Sequence, residues 1–322
     1  MSGPTFLELH SVSAPSRRRY QLEFVQFLRW SSLHGHRTTT VGQLDVALTA
    51  YLNELYFRGY IGSDATKLIA AVAFMRPDLQ RGSHQLPRAS QAARGFVRLS
   101  PAHSRLPTPW ALICLVMEQL ARSRQLHEAF ACLLQFALFL RPSEVLGIRV
   151  RNAIQPQGRG RRQMGPAQWS IVLHPREDQK ASKVGAYDES MLLDSPLLAP
   201  LVPFLQRRIL EDPDGPLFRL TYRQWSAAFR SAGAAAGLPN AVVPTLYQSR
   251  HGGASHEALH HVRSWEAIQV RGRWADQKGM HRYCKPGRLE HQLQRLPPGL
   301  RIAADDAVES IGGSLRALLL AS

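Results

Sequence analysis

Residues 139–146 read Phe-Leu-Arg-Pro-Ser-Glu-Val-Leu, and an apolar run from Ala129 to Leu140 leads into them. The run is helical in character and stops at Arg141-Pro142. Proline cannot continue the helix before it but suits the first turn of a new one. The stretch therefore predicts a buried helix, a sharp break, and a second helix that opens with Arg-x-x-Glu. At that spacing Arg141 and Glu144 can reach each other, and a plain ion pair is the simplest reading of the two.

Upstream of this break, Trp110 to Arg122 is a second amphipathic stretch. Further back, Tyr20, Phe24, Phe27 and Leu28 recur at helical spacing, as do Leu48, Tyr51, Leu52 and Leu55. A third helix is predicted from Ser63, with Ser63 as its cap. Residues 17–82 thus read as a small all-helical domain, preceded by a leader at 1–16. Residues 83–107 carry prolines and arginines with weak periodicity and read as a basic linker.

Downstream, WSIVLHP (169–175) alternates apolar and polar residues. DESMLLD (188–194) follows after the turn EDQKASKVGAY, which predicts a small sheet with a lysine-bearing loop. From Pro196 onward the chain is helical again. The fold class is mainly α with a small β-sheet insert. Residues 108–286 form the second domain, and 287–322 form a C-terminal tail with a helix at 304–322.

The chain of 322 residues has 40 Lys+Arg against 24 Asp+Glu, a net charge of +16. Such a balance attracts polyanions, of which nucleic acid is the commonest large one. Cys114, Cys132 and Cys284 form no CxxC pair and no disulfide framework. The first twenty residues contain no signal-peptide core, and the run 129–140 is too short to span a bilayer. The expectation is an intracellular protein without a membrane partner.

Four further features follow in order. Lys180 and Lys183 sit in the predicted β-turn. Tyr247-Gln248-Ser249-Arg250-His251 precedes Gly-Gly-Ala-Ser. Gly272-Arg273-Trp274 follows, and Tyr283 lies nine residues beyond Trp274. Taken singly, each has a plainer meaning: a turn lysine is solvated, a tryptophan is core, a tyrosine is half-buried packing. The series as a whole resembles the catalytic domain of the tyrosine recombinases, the phage integrase-like family. Its pattern is Arg-x-x-Glu, a hairpin lysine, His-x-x-Arg-His, a His or Trp, and a Tyr about nine residues later. The resemblance covers residues 108–286, and the helical residues 17–82 look like the family's core-binding, DNA-binding domain. The RGRW form of the last motif is closer to eukaryotic mobile-element versions, for which the nucleus is the expected location.

That resemblance implies a site-specific DNA recombinase that cuts and rejoins strands through a covalent 3′-phosphotyrosine. Arg141 and Arg250 would grip the nonbridging oxygens through planar forks. Tyr283 would be the nucleophile. Lys180, with Lys183 as substitute, would protonate the leaving 5′ oxygen. Trp274 would donate its indole N–H to a phosphate oxygen. Glu144 would orient the arginines, and His251 would support the second one. Tyr247 stands where the family has histidine. A phenol is a poor general base at neutral pH. Arg159, Arg161 and Arg162 form a basic loop suited to phosphate contact. The implied partner is duplex DNA, embraced by the two domains as a clamp, with self-association on DNA (a tetramer in the family). The C-terminal tail would dock on a neighbouring copy. No metal or nucleotide cofactor is implied.

Two other readings remain open at this level. A catalytically decayed mobile-element protein that only grips DNA is favoured by Tyr247. A zinc metalloprotease is suggested by His256-Glu257-Ala258-Leu259-His260, an H-E-x-x-H sequence that can place two histidines on one helix face.

Overall fold

A computed structural model of the chain describes residues 4–79, 85–101, 106–156, 169–182, 185–239 and 242–322. The chain divides into two compact units, Met1–Ser104 and Arg105–Ser322.

The first unit is helical: α1 (Phe6–His10), α2 (Ala14–Leu33), α3 (Val41–Phe57), α4 (Gly62–Met75) and α5 (Pro87–Leu99). Phe27, Leu44, Leu48, Leu52, Leu68, Val72 and Phe96 form its core. Three sequence expectations are corrected here. Residues expected as leader form α1 and the first turn of α2. The cap of α4 is not Ser63; Asp64 reaches back to the Ile61 amide at 3.4 Å. The expected basic linker contains α5. Its apolar stripe, Ala89, Ala93 and Phe96, is buried at helical spacing. The buried Asp45 of α3 accepts hydrogen bonds from the Arg88 and Ala89 amides at 3.1 and 2.8 Å. An orphan helix terminus is thus capped from another helix.

The second unit has α6 (Trp110–Arg122) and α7 (Leu126–Ala137) at its centre, both buried along most of their length, from Trp110 to Glu118 and from Ala129 to Ala137. Around them lie α8 (Pro142–Gly147), α9 (Leu201–Glu211), α10 (Tyr222–Ala235), α11 (Leu246–Leu259), α12 (Trp265–Gly272), α13 (Gln277–His281), α14 (Gly287–Gln294) and α15 (Pro298–Leu320). A three-stranded antiparallel sheet runs β1 (Ala153–Ile154), β2 (Ser170–Leu173), β3 (Glu189–Leu192), with Ile171 opposite both Ala153 and Met191. The fold is mainly α with a small sheet, as the patterning implies.

The C-terminal helix is a correction. It packs along α6 of its own chain, burying Ala304, Ala307, Ile311, Leu315 and Leu318. Glu118 of α6 accepts hydrogen bonds from Ser310 and Ser314 at 2.8 and 2.7 Å. Its apolar face is therefore covered in cis rather than offered to a neighbour. No helix among the described residues is long and apolar enough to cross a membrane.

Candidate active site

The site forms where helix ends meet. Beyond α7, Phe139 adopts a left-handed φ of 50°, which turns the chain so that Arg141 precedes α8. Glu144 folds back within that helix and accepts from the Arg141 amide at 2.6 Å and from its guanidinium. The Arg-x-x-Glu of the sequence is therefore a closed local loop. Burial would raise the Glu144 carboxyl, but Arg273, Arg250 and Arg141 hold it below its ordinary value.

The second arginine arrives on α11. Side chains at Gly252 or Gly253 would overlap Thr108, Phe136 and Phe139. Two glycines thus let α11 sink against α7, and Arg250 becomes fully buried. Its guanidinium donates to the Phe139 carbonyl and, at 2.5 Å, to that of Gly272. The Gly272 carbonyl is at the C-terminus of α12, where aligned peptide dipoles leave negative partial charge, and that of Phe139 lies in the left-handed turn just beyond α7. Two of the five N–H donors of this arginine are thereby engaged, and its Nε has no hydrogen-bond partner among the described residues. Burial, and then the neighbouring Arg273, pull Arg250 down to about 10. It remains cationic at neutral pH.

Gly272 has a second role. A Cβ there would collide with the Trp274 ring, so glycine lets the indole fold back over the end of α12. Met280, Ile268, Phe139, Ala254 and Cys284 form a small separate apolar cluster with Trp274, and Tyr283 packs against it. Ser255 of α11 accepts from the Lys285 amide at 2.8 Å and donates to the Tyr283 carbonyl at 3.4 Å. The tyrosine-bearing segment is fastened to α11 of its own chain.

The side chains converge. The Tyr283 ring lies 5.3 Å from Trp274 and 4.5 Å from His251, centroid to centroid. The Arg250 guanidinium stands 5.1 Å from the Trp274 ring and 5.9 Å from that of Tyr283. Tyr247 is 5.7 Å from His251, centroid to centroid, and it acts on the electrostatics of both Arg141 and Tyr283. Burial, then Tyr247, push the Tyr283 phenol above its ordinary value. The buried Trp274 Nε1 has no hydrogen-bond partner among the described residues. Unpartnered donors of Arg250 and Trp274 beside a phenol, with Arg141 on the other side of Glu144, make a cationic cluster suited to an oxyanion.

Of the residues singled out by sequence, Arg141, Glu144, Tyr247, Arg250, His251, Trp274 and Tyr283 come together here. Lys180 does not. It is exposed on the turn between β2 and β3 and lines a cavity of about 220 Å³ with Ser143, Glu144 and Asp178. Lys183, Arg159, Arg161 and Arg162 lie outside the described residues. Sequence reading missed Arg273. Its guanidinium reaches Glu144 at 2.6 Å, and its only sequence signal is a non-glycine residue wedged between Gly272 and Trp274.

The H-E-x-x-H reading is overturned. The His256 and His260 rings are 4.4 Å apart, but Glu257 is buried and faces Arg263, its hydrogen-bond donor, and Arg271 at 3.9 Å. A carboxylate held by two guanidiniums is not placed to act as a base on a metal-bound water. Among the described residues no group of three or more His, Cys, Asp or Glu could hold a metal ion.

No protein-family model matches the sequence, and no curated protein matches it significantly. Solved structures do. The XerH site-specific recombinase bound to a palindromic difH substrate, in a post-cleavage complex, superposes with a TM-score of 0.59. Identity is 12%, over 85% of this chain and 77% of that one. The Tn1549 transposon integrase in complex with transposon right end DNA superposes with a TM-score of 0.51 at 11% identity, over 88% of this chain and 95% of that one. The chain has the tyrosine recombinase fold. Within a tyrosine recombinase fold, the cluster around Arg250 involves the same residues that the sequence pattern singled out, apart from the hairpin lysines and with Arg273 added.

Proposed function

We propose that the chain cuts and rejoins DNA strands through Tyr283. The Tyr283 oxygen attacks the phosphorus of a phosphodiester. A phosphotyrosine bond forms to the 3′ end, and the bond to the 5′ oxygen breaks. The phosphotyrosine conserves the energy of the broken bond, so religation needs no nucleotide cofactor. Arg141 and Arg250 neutralise the charge that grows on the nonbridging oxygens, and Trp274 donates its indole N–H to one of them. His251, its ring tilted against that of Tyr283 at 4.5 Å, takes the phenolic proton, directly or through the Tyr247 hydroxyl. Lys180 or Lys183 protonates the departing 5′ oxygen when the turn closes on DNA. Copies of the chain associate on the duplexes they exchange, and the basic loop with Arg159, Arg161 and Arg162 contacts phosphates.

The observation that carries this reading is the gathering of Arg250, Trp274 and Tyr283 in one cluster, with Arg141 joined to Arg250 through Glu144, from residues up to 142 positions apart in sequence. A nicked suicide duplex that loses a short fragment on cleavage is the test. Wild type should give an SDS-resistant protein–DNA complex, and Tyr283→Phe should give none. A second reading, a DNA-gripping protein without chemistry, is favoured by the phenol at position 247. Duplex binding by wild type with no such complex would establish it instead.

A further inference from the structure

We propose that Arg273 is a positioning residue that keeps Arg250 available to the scissile phosphate by occupying Glu144. This rests on the reading of Tyr283 as nucleophile.

The backbone first draws attention to the position. Arg273 ends α12 with φ 54° and ψ 43°, the left-handed conformation that helix termini usually give to glycine because a Cβ is strained there. Gly272 stands one residue earlier, so the strained place is filled by arginine. Strain of this kind persists only where the surroundings hold it. Here the side chain supplies the hold. Its Nη2 lies 2.6 Å from Glu144 Oε2, its Nη1 donates to the Arg271 carbonyl at 3.1 Å, and its Nε is 3.7 Å from Glu189 Oε2 of β3. It ties the end of α12 to α8 and to the sheet.

The competition for one oxygen gives the role. Glu144 Oε2 accepts from the Arg141 amide and from Arg273 Nη2, both at 2.6 Å. Arg250 Nη1 stands 3.5 Å from the same oxygen. With two short partners in place, Oε2 leaves Arg250 hydrogen-bonded to the Phe139 and Gly272 carbonyls instead. Without Arg273, the nearest replacement donor is Arg250 itself. A shift of about 0.7 Å would complete that ion pair, drawing the fork away from both carbonyls and from the phenol of Tyr283. The charge count agrees. Arg141, Arg250 and Arg273 against Glu144 and Glu189 leave one positive charge (3 − 2 = 1), and a collapse of Arg250 onto the carboxylate would turn that cation away from an incoming phosphate.

The test uses the full-length protein and the suicide duplex under single-turnover conditions. Arg273→Gly relieves the backbone, and Arg273→Lys keeps the charge with a single donor. Arg273→Gly should melt at or above the wild-type temperature and bind duplex within about threefold of wild type. It should cleave about 100-fold more slowly with undiminished amplitude, as expected for a misplaced reacting group. Added guanidinium at ~20 mM, against an equal concentration of sodium chloride, should restore part of the rate by refilling the vacated cation position. Arg273→Lys should fall between. An unchanged rate constant in Arg273→Gly overturns the proposal. So does a rate loss that guanidinium leaves untouched and that tracks a lowered melting temperature. If wild type itself forms no covalent complex, the Tyr283 reading fails and this one with it; a normal wild-type complex beside a fully active Arg273→Gly removes this one only.

Discussion

Two arginine–carboxylate networks lie inside the second unit. Around Glu144 gather Arg141, Arg250 and Arg273, with Glu189 only at the edge. Around Asp194 and Glu257 gather Arg263 and Arg271, with Asp194 at 2.7 Å from the first and 2.9 Å from the second. Both draw on α11 and the residues that follow it. The second network is balanced, two cations on two anions, and it stitches the end of the sheet to α11 and α12. The first holds a surplus of cations in a place where burial already pulls Arg250 and Arg273 below their ordinary values. Burying unmatched charge opposes folding unless something completes it. The difference between the networks therefore separates a fastening from a binding site, and it points to an anion as the missing partner.

Removing Arg250 should break the comparison most severely. Arg250→Ala should slow formation of the SDS-resistant complex by about 1,000-fold or more, the scale of losing a preorganised donor to a growing oxyanion. Gel-shift measurement should meanwhile show duplex still bound. Retention of cleavage within tenfold would deny the Glu144 network its special status.

Glu257→Gln addresses the balanced network. It leaves Arg263 and Arg271 sharing Asp194 alone, and should lower stability by roughly 2–3 kcal/mol, read as a lower denaturant midpoint. The cleavage rate constant of the folded fraction should stay within about threefold of wild type. A loss as large as that of Arg250→Ala would mean that the two networks are one functional unit.

The smallest effect concerns pH. His256, on α11 beside Phe136 and His260, is pulled down to about 4 by burial and then by His260. The unfolded chain therefore binds a proton there between pH 6.5 and 4 that the folded chain does not. Stability rises with pH across that window and is lost as the solution is acidified through it. Replacing His256 with Gln should flatten this slope by about 1 kcal/mol at pH 5, discounted for partial exposure. Thermal melts at pH 7 and pH 5 would check it, and parallel slopes for the two proteins would contradict the assignment. His127, also near 4 because of burial and then Arg208, should leave a residual slope in the variant.

Much of the site could be read in the sequence because its parts have rigid local grammar. Pro142 favours a helix start beside Arg141, and an Arg-x-x-Glu at a helix start brings its two side chains within reach of each other. Trp274 and Tyr283 stand at a spacing that a single short helix, α13, bridges. Other elements lacked such grammar. The stripe of α5 consists of two alanines and one phenylalanine among arginines, so its weak apolar signal reads as linker. β1 is two residues long and exists only through its pairing with β2. The helix at the C-terminus has a visible apolar face, yet nothing local says whether that face meets α6 of the same chain or another copy. For H-E-x-x-H the local pattern was misleading, because Glu257 is claimed by Arg263 and by Arg271, fourteen residues on.

By itself the sequence determined the inventory: helices broken by a small sheet, a large positive charge, and an ordered set of arginines, tyrosines and a tryptophan that short-range rules hold in fixed local poses. The tertiary structure alone decided which charges share a carboxylate. Arg141, Arg250 and Arg273 meet at Glu144 because α11 can sink against α7 on two glycines and because α12 ends in a left-handed turn. Those are properties of packing between distant segments, where the deciding quantity is the sum of charges in one buried volume.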